Sequence, residues 1–168
     1  MRAVPSRWMG VTVLALWTAA LGACGPRLPA YHVREVRAPP PSLPAHCGDP
    51  RPCEGTKTWV VFYSTYCASC HRLLEDLARS AADLERHGVC VATYLVDAGG
   101  CPEALRVSRR SGDWPVAPVG EGVLAAWGVD TAPVLYMMDE GEVRLRVQGR
   151  GPVQELLRLA RSGGAGDG

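Results

Sequence analysis

Two cysteines separated by two residues, Cys67 and Cys70, are the side chains of this 168-residue chain best suited to chemistry. A pair at this spacing can exchange disulfides or supply two metal ligands, and His71 directly after it completes the motif that anchors a c-type haem. The pair follows a run of β-branched and aromatic residues and precedes apolar residues at three- and four-residue spacing, which predicts strand, turn and helix. A thiol at a helix N-terminus lies beside unpaired backbone N–H groups and the positive end of the helix dipole, and both favour the nucleophilic thiolate.

The elements that must hold this pair follow from the spacing of the apolar residues. We expect helices over 67–87, 102–110, 121–127 and 152–161 and strands over 58–64, 89–96, 133–138 and 143–147, with a candidate edge strand at 31–36. The first domain strand is continuously apolar, which predicts burial on both faces, and it should pair parallel with the next strand. This order predicts an α/β fold, a central mixed β-sheet flanked by helices.

Composition and charge narrow the classes of function. A formal net charge of +1 offers no basic excess for nucleic acid, so we expect no nucleic-acid partner. Seven cysteines are many for a cytosolic chain of this size and favour an oxidising compartment. The length and the hydrophobic content of 47% support one core rather than two.

The first residues indicate export. Two arginines precede an uncharged apolar run over residues 9–21, which is too short for a comfortable membrane span but typical of a signal-peptide core. The run ends in small residues directly before Cys24, and this resembles the lipobox of bacterial lipoproteins. The resemblance implies that residues 1–23 are removed and that Cys24 carries lipid. An ordinary signal cleaved nearby and an uncleaved anchor are the alternatives.

The remaining chain divides by composition. Residues 24–54 are rich in proline and poor in core residues, so we expect an extended tether. Within it, Cys47 and Cys53 enclose turn-forming residues, which predicts a small disulfide ring. The folded domain is expected over 55–162, and the glycine-rich tail 163–168 is expected to be disordered.

Two sequence motifs are more specific in combination than either is alone. The first runs from Trp59 to Cys70, and the second, Gly-Val-Asp-Thr-Ala-Pro at 128–133, follows roughly sixty residues later. With the order of elements, they resemble the thioredoxin fold, and within it the bacterial membrane-anchored TlpA/ResA-type thiol–disulfide oxidoreductases. The likeness covers about residues 55–162.

The resemblance implies roles for five residues. Cys67 would be the exposed attacking cysteine and Cys70 the buried resolving cysteine. Tyr66, in place of the usual tryptophan, would line the substrate site. Pro133 would be a cis-proline facing the disulfide, leaving the backbone of Ala132 free to pair with an extended substrate strand, although a proline at this place can also simply begin a strand.

The implied function is that of a cell-envelope oxidoreductase, lipid-anchored to a membrane and facing the periplasm. It would reduce disulfides of exported proteins and be kept reduced by a membrane electron donor with its own thiols. No cofactor and no metal are implied. The dipeptide between the cysteines lacks the proline or histidine of better-known members, so the reduction potential is not implied.

The sequence departs from the family at the acid that assists proton transfer. Val61 and Leu73 stand where related proteins keep a carboxylate. Glu121 and Asp113 are the weak candidates to replace it. Without such an acid, the reactivity of the cysteine pair would depend largely on its place at the helix N-terminus.

Other readings of the cysteines compete with this one. The scaffold could be a non-catalytic binding module or a copper-handling protein. Haem attachment is disfavoured because the motif follows a buried strand, and zinc because Cys47 and Cys53 are too widely spaced for a second close pair. A disulfide between Cys90 and Cys101 is as plausible as two separate thiols, since sequence cannot choose among the pairings of six cysteines.

Overall fold

The computed structural model describes residues 31–48, 57–110 and 112–162. Within these residues the chain forms six strands and five helices. The strands are β1 (Tyr31–Ala38), β2 (Lys57–Tyr63), β3 (Val89–Leu95), β4 (Val116–Pro118), β5 (Val134–Asp139) and β6 (Glu142–Gly149). The helices are α1 (Ala68–Arg79), α2 (Ala81–Arg86), α3 (Cys101–Ser108), α4 (Glu121–Trp127) and α5 (Val153–Ser162).

The strands form one mixed sheet in the order β1-β6-β5-β2-β3-β4. β2 pairs parallel with β3, and β3 with β4, whereas the β2–β5, β5–β6 and β6–β1 pairs are antiparallel. This confirms the predicted mixed sheet and the parallel pairing of the first two domain strands. β2, which leads to the cysteine pair, therefore lies inside the sheet.

The side chains of β2 alternate between two cores, and helices cover the sheet on both of these faces. Trp59, Val61 and Tyr63 join the core under α1 and α5, and Val60 and Phe62 join the core that includes Trp127 of α4. All five strand side chains are at most 1% exposed. A fully buried side chain of this kind contributes about 1.5 to 3 kcal/mol. The predicted burial on both faces is confirmed.

The helix predicted over 67–87 is two helices. α1 ends at Arg79 and α2 begins at Ala81, because Ser80 has a ψ of 9°. The spacing of the apolar residues does not reveal this break, because Leu77 before it and Leu84 after it both pack into the same core. A second difference is β4, which lies in the predicted loop 113–120 and is too short to show a period of its own.

Residues 31–48 belong to the folded unit: the candidate edge strand at 31–36 is confirmed as part of β1, whereas the tether expected over 24–54 is wrong here. β1 pairs antiparallel with β6, with Tyr31 opposite Gly149. Val36 and Leu43 pack against the core on the α4 side, and the backbone N–H of Cys47 donates to Val116 of β4 at 2.7 Å. This segment therefore runs from one edge strand to the other. The low apolar content of the segment did not predict this packing, because backbone pairing and only two apolar side chains attach the segment to the core.

The predicted ring between Cys47 and Cys53 is also wrong, because Cys47 is bonded to Cys101 at the start of α3, with a Cα–Cα distance of 5.4 Å. The two cysteines are 54 residues apart and meet only because the segment reaches β4. Cys90 is also disulfide-bonded, and not to Cys101. Cys53 itself lies outside the described residues.

Several predictions concern parts of the chain that the structure does not describe. The signal peptide at 1–23, the lipidated Cys24 and the tail at 163–168 all lie outside the described residues. Across 31–48, 57–110 and 112–162, no helix is long and apolar enough to cross a membrane.

Candidate active site

Cys67 and Cys70 lie at the N-terminus of α1 and are bonded to each other, with a Cα–Cα distance of 5.2 Å. Cys67 is the N-cap residue, with extended backbone, and its Sγ accepts a hydrogen bond from the backbone N–H of Cys70 at 3.1 Å. Cys67 is partly exposed, whereas Cys70 is 0% exposed. The pair thus presents one sulfur to solvent and keeps the other in the core.

A hydroxyl group lies beside the exposed sulfur. The Oγ of Ser69, in the dipeptide between the two cysteines, is 3.1 Å from the Sγ of Cys67. The first turn of α1 has no acidic side chain. The polar neighbours of this sulfur on α1 are therefore the hydroxyl and the Cys70 amide.

The loop before β5 faces the pair, as the resemblance implied. The carbonyl oxygen of Ala132 is 3.5 Å from the Sγ of Cys67, and the peptide bond between Ala132 and Pro133 is cis. Pro133 is buried, and its carbonyl accepts the backbone N–H of Gly149 at 2.9 Å. Tyr66 is 91% exposed beside the pair.

β6 holds this loop with side chains that sequence reasoning missed. The side-chain amide of Gln148 donates to the carbonyl oxygen of Thr131 at 3.3 Å and to its hydroxyl. Arg146 donates to the carbonyl of Gly128 at 3.3 Å and to the hydroxyl of Tyr136 at 3.2 Å. The alternation of β6 shows that these polar residues share a face, but not which loop they reach.

A carboxylate organises the turn that leads into the pair. Asp97, the second residue after β3, accepts the backbone N–H of Thr65 at 2.9 Å and its hydroxyl at 2.6 Å. It also accepts the hydroxyl of Ser64 at 2.8 Å. Burial, the largest single influence, opposes its ionisation, but the hydrogen bonds from Thr65 and Ser64 together outweigh it and lower the pKa of Asp97.

His71 holds the same turn from the other side. Its Nε2 lies 2.8 Å from the carbonyl oxygen of Thr65, and since a carbonyl can only accept, Nε2 carries the proton. The histidine that suggested a haem motif is therefore engaged with the backbone of the turn. Together with Asp97, it fixes Thr65 one residue before Tyr66.

The family's acid positions are apolar here, and the predicted substitutes lie elsewhere. Val61 and Leu73 are buried in the core. Glu121 begins α4, which packs on the opposite face of the sheet from Cys70. Asp113 adjoins Gly112, which packs against Ala78 of α1. Ala78 is eight residues after Cys70, which corresponds to about 12 Å along the helix axis at 1.5 Å per residue. Neither carboxylate is brought to the pair.

The described residues contain no group of three or more histidine, cysteine, aspartate or glutamate side chains that could hold a metal ion. The site consists of a disulfide, a hydroxyl, backbone amides and an exposed aromatic ring.

Solved structures resemble this one, although no protein-family model and no curated protein matches the chain. A thiol:disulfide interchange protein of the thioredoxin family from Chlorobium tepidum is 18% identical, with a TM-score of 0.56 over 66% of this chain and 81% of that one. StoA from Bacillus subtilis is 16% identical, with a TM-score of 0.51 over 62% and 81%. An uncharacterized thioredoxin-like protein from Porphyromonas gingivalis is 22% identical, with a TM-score of 0.56 over 65% and 76%. With the mixed sheet and its flanking helices, these matches show that the chain has the thioredoxin fold.

Proposed function

We propose that this chain is a thiol–disulfide oxidoreductase whose redox pair is Cys67 and Cys70. The observation that carries the proposal is the asymmetry of the pair, one sulfur partly exposed at a helix N-terminus and its bonded partner fully buried. Only Cys67 is accessible to a protein substrate, so it begins the exchange. Cys70 is near enough to complete it.

The reduced pair would act in two steps that balance. The Cys67 thiolate attacks one sulfur of a substrate disulfide, that S–S bond breaks, and the other substrate sulfur leaves as a thiolate that takes a proton from solvent. The Cys70 thiol then loses its proton, and the resulting thiolate attacks the mixed disulfide at the Cys67 sulfur. The second substrate sulfur leaves as a thiolate that takes up a proton, and two electrons have moved from the protein to the substrate.

The substrate is proposed to be an extended segment of an exported protein. Tyr66 offers an exposed aromatic surface beside the pair. The Ala132 carbonyl faces the reacting sulfur, so a strand paired with the backbone of Ala132 would lie across Cys67. Backbone pairing of this kind gives affinity without demanding one sequence.

The proposed place of action is the cell envelope, with Cys24 lipidated and the domain facing the periplasm. The apolar leader and the cysteine content support this, and so does the Cys47–Cys101 disulfide, since such bonds persist in oxidising compartments. A membrane protein with its own thiols would return electrons to the pair. Growth with a lipid label tests the anchor: the wild type should carry label and Cys24→Ser should not, and a wild type without label would remove the anchor.

The reaction is tested with the reduced protein and a peptide that contains a disulfide. We expect Cys67→Ser to abolish reduction and Cys70→Ser to accumulate a mixed disulfide with the peptide, visible by mass spectrometry. The control is the double variant Cys47→Ser with Cys101→Ser, which should retain activity where it folds. Full activity of Cys67→Ser would overturn the proposal.

The direction is tested by the reduction potential of the pair in glutathione buffers. A value near about −270 mV, as in thioredoxin, supports the proposed reductant. A value near about −120 mV would instead make the protein an oxidant.

A further inference from the structure

The reacting sulfur has three polar neighbours in the structure. The backbone N–H of Cys70 and the hydroxyl of Ser69 are each 3.1 Å from the Sγ of Cys67, and the carbonyl oxygen of Ala132 is 3.5 Å from it. Two of these groups can donate a hydrogen bond and the third can only accept. The donors are the closer groups, so the site favours a negative sulfur over a neutral one.

We propose that Ser69 is a catalytic residue of the oxidoreductase proposed above: in the reduced protein its hydroxyl donates a hydrogen bond to the Cys67 thiolate. It therefore stabilises the charged form of Cys67 in a site where Val61 and Leu73 are apolar, and it does not replace the proton-transferring acid of related proteins. Ser69 exchanges no proton and stays a hydroxyl throughout. Since the negative charge leaves the Cys67 sulfur when the new S–S bond forms, the hydrogen bond is strongest before the attack.

Most of the charged groups near Cys67 have other partners, and Arg72 is the exception. On the turn after β3, Asp97 is held by Ser64 and Thr65. On α1, His71 donates to the Thr65 carbonyl, and the Arg72 side chain is exposed. On the loop before β5, Asp130 pairs with Arg146. Among the described residues, Ser69 is therefore the residue whose side chain lies within hydrogen-bond distance of the Cys67 sulfur, apart from its disulfide partner.

The inference predicts a shift in the pKa of the Cys67 thiol. A hydrogen bond to a charged group stabilises it by about one pKa unit or somewhat more, so Ser69→Ala should raise this pKa by about one unit. The thiolate of the variant is more basic and, with a Brønsted coefficient of about 0.4 to 0.5, about threefold more nucleophilic. The rates of wild type and variant should therefore cross as pH rises.

The test uses the full chain with Cys70→Ser, which leaves Cys67 as the single thiol of the site and keeps the backbone N–H at residue 70. The rate of reaction with a small aromatic disulfide is measured against pH for the wild-type dipeptide, Ser69→Ala and Ser69→Thr. Below both pKa values, Ser69→Ala should be about threefold slower, and above them about threefold faster, than the parent. Ser69→Thr keeps a hydroxyl and should follow the parent.

The results separate this inference from the function on which it rests. The role of the hydroxyl would be overturned if Ser69→Ala left the pKa of Cys67 unchanged, or if Ser69→Thr raised that pKa as much as Ser69→Ala does. In either case, peptide reduction by the wild type would still support the proposed function. Failure of the wild type to reduce any disulfide would overturn the function itself. Thermal unfolding of each variant confirms that the compared proteins are folded.

Discussion

The carboxylate of Asp97 accepts both the backbone N–H and the hydroxyl of Thr65, 32 residues earlier in the chain, at 2.9 and 2.6 Å. The bond joins the end of β3 to the turn before the cysteine pair. His71 binds the carbonyl of the same residue, so the turn is held at both of its backbone polar groups. The position of the exposed sulfur thus depends on a carboxylate that does not touch it.

Removing this carboxylate should loosen the site and the fold together. Asp97→Asn replaces an acceptor by an amide whose N–H groups face the donors of Ser64 and Thr65. Because hydrogen bonds to charged groups contribute about 1.5 to 3 kcal/mol, we expect the free energy of unfolding to fall by about 2 kcal/mol. Denaturant unfolding of the oxidised protein measures this.

The matched control is Asp130→Asn, whose carboxylate is 79% exposed and pairs with Arg146 on the surface. A surface ion pair of this kind contributes at most about 1 kcal/mol. An equal decrease in the free energy of unfolding in the two variants would show that the Asp97 hydrogen bonds contribute no more than a surface ion pair.

Stability should decrease in acid because of two aspartates. The pKa of Asp97 is lowered as described, and that of Asp76 is also lowered: burial, the largest influence, opposes ionisation, but hydrogen bonds from Arg150 and Arg79 outweigh it. A group whose folded pKa lies below its unfolded value stabilises the protein above that unfolded value, about 3.9 for aspartate. Stability from both groups is therefore complete above about pH 5 and is lost as pH falls through the folded pKa values.

Urea midpoints measured between about pH 6 and pH 2 test this. The double variant Asp76→Asn with Asp97→Asn should be less stable at neutral pH and show a flatter decline below about pH 4 than the wild type. Identical slopes in acid would mean that other carboxylates govern the decline.

The Cys47–Cys101 disulfide should contribute strongly to stability, because it closes a long loop of the unfolded chain. For a separation of 54 residues, the chain-entropy estimate is about 4 kcal/mol. We expect Cys47→Ser with Cys101→Ser to lower the free energy of unfolding by up to this amount, as measured in guanidinium. Peptide mapping without reduction should recover residues 47 and 101 in one linked fragment, and a fragment linking Cys47 to Cys53 would refute the pairing.

Gln148 should matter for extended substrates and not for small ones. Its amide holds the carbonyl of Thr131, next to the backbone that the proposed substrate strand would pair with. We expect Gln148→Ala to slow reduction of a disulfide-containing peptide several-fold, with little change in the rate for a small aromatic disulfide. Gln154→Ala, which removes a surface glutamine on α5 bonded to Asp83, is the control and should change neither rate. Equal slowing for both substrates would place the effect on Cys67 instead of the loop.

Sequence alone was sufficient where neighbours along the chain decide the structure. The strand, Cys67, Cys70 and the helix after them form one continuous segment, so the apolar period and the known behaviour of a helix N-terminus predicted their arrangement. Helices α3, α4 and α5 also followed from local spacing. The exception was the break at Ser80, which leaves the apolar face unchanged.

Contacts between distant segments were decided only by the tertiary structure. Composition predicted a tether with only a candidate edge strand at 31–36, because it measures apolar content, whereas backbone pairing with β6 and the bond from Cys47 to Cys101 hold residues 31–48 in place. Asp97 directly follows the strand predicted over 89–96, and nothing near it in the chain shows that Thr65 lies within reach. A hydrogen bond or disulfide across tens of residues depends on how the strands are ordered in the sheet, and local periodicity carries no information about that order.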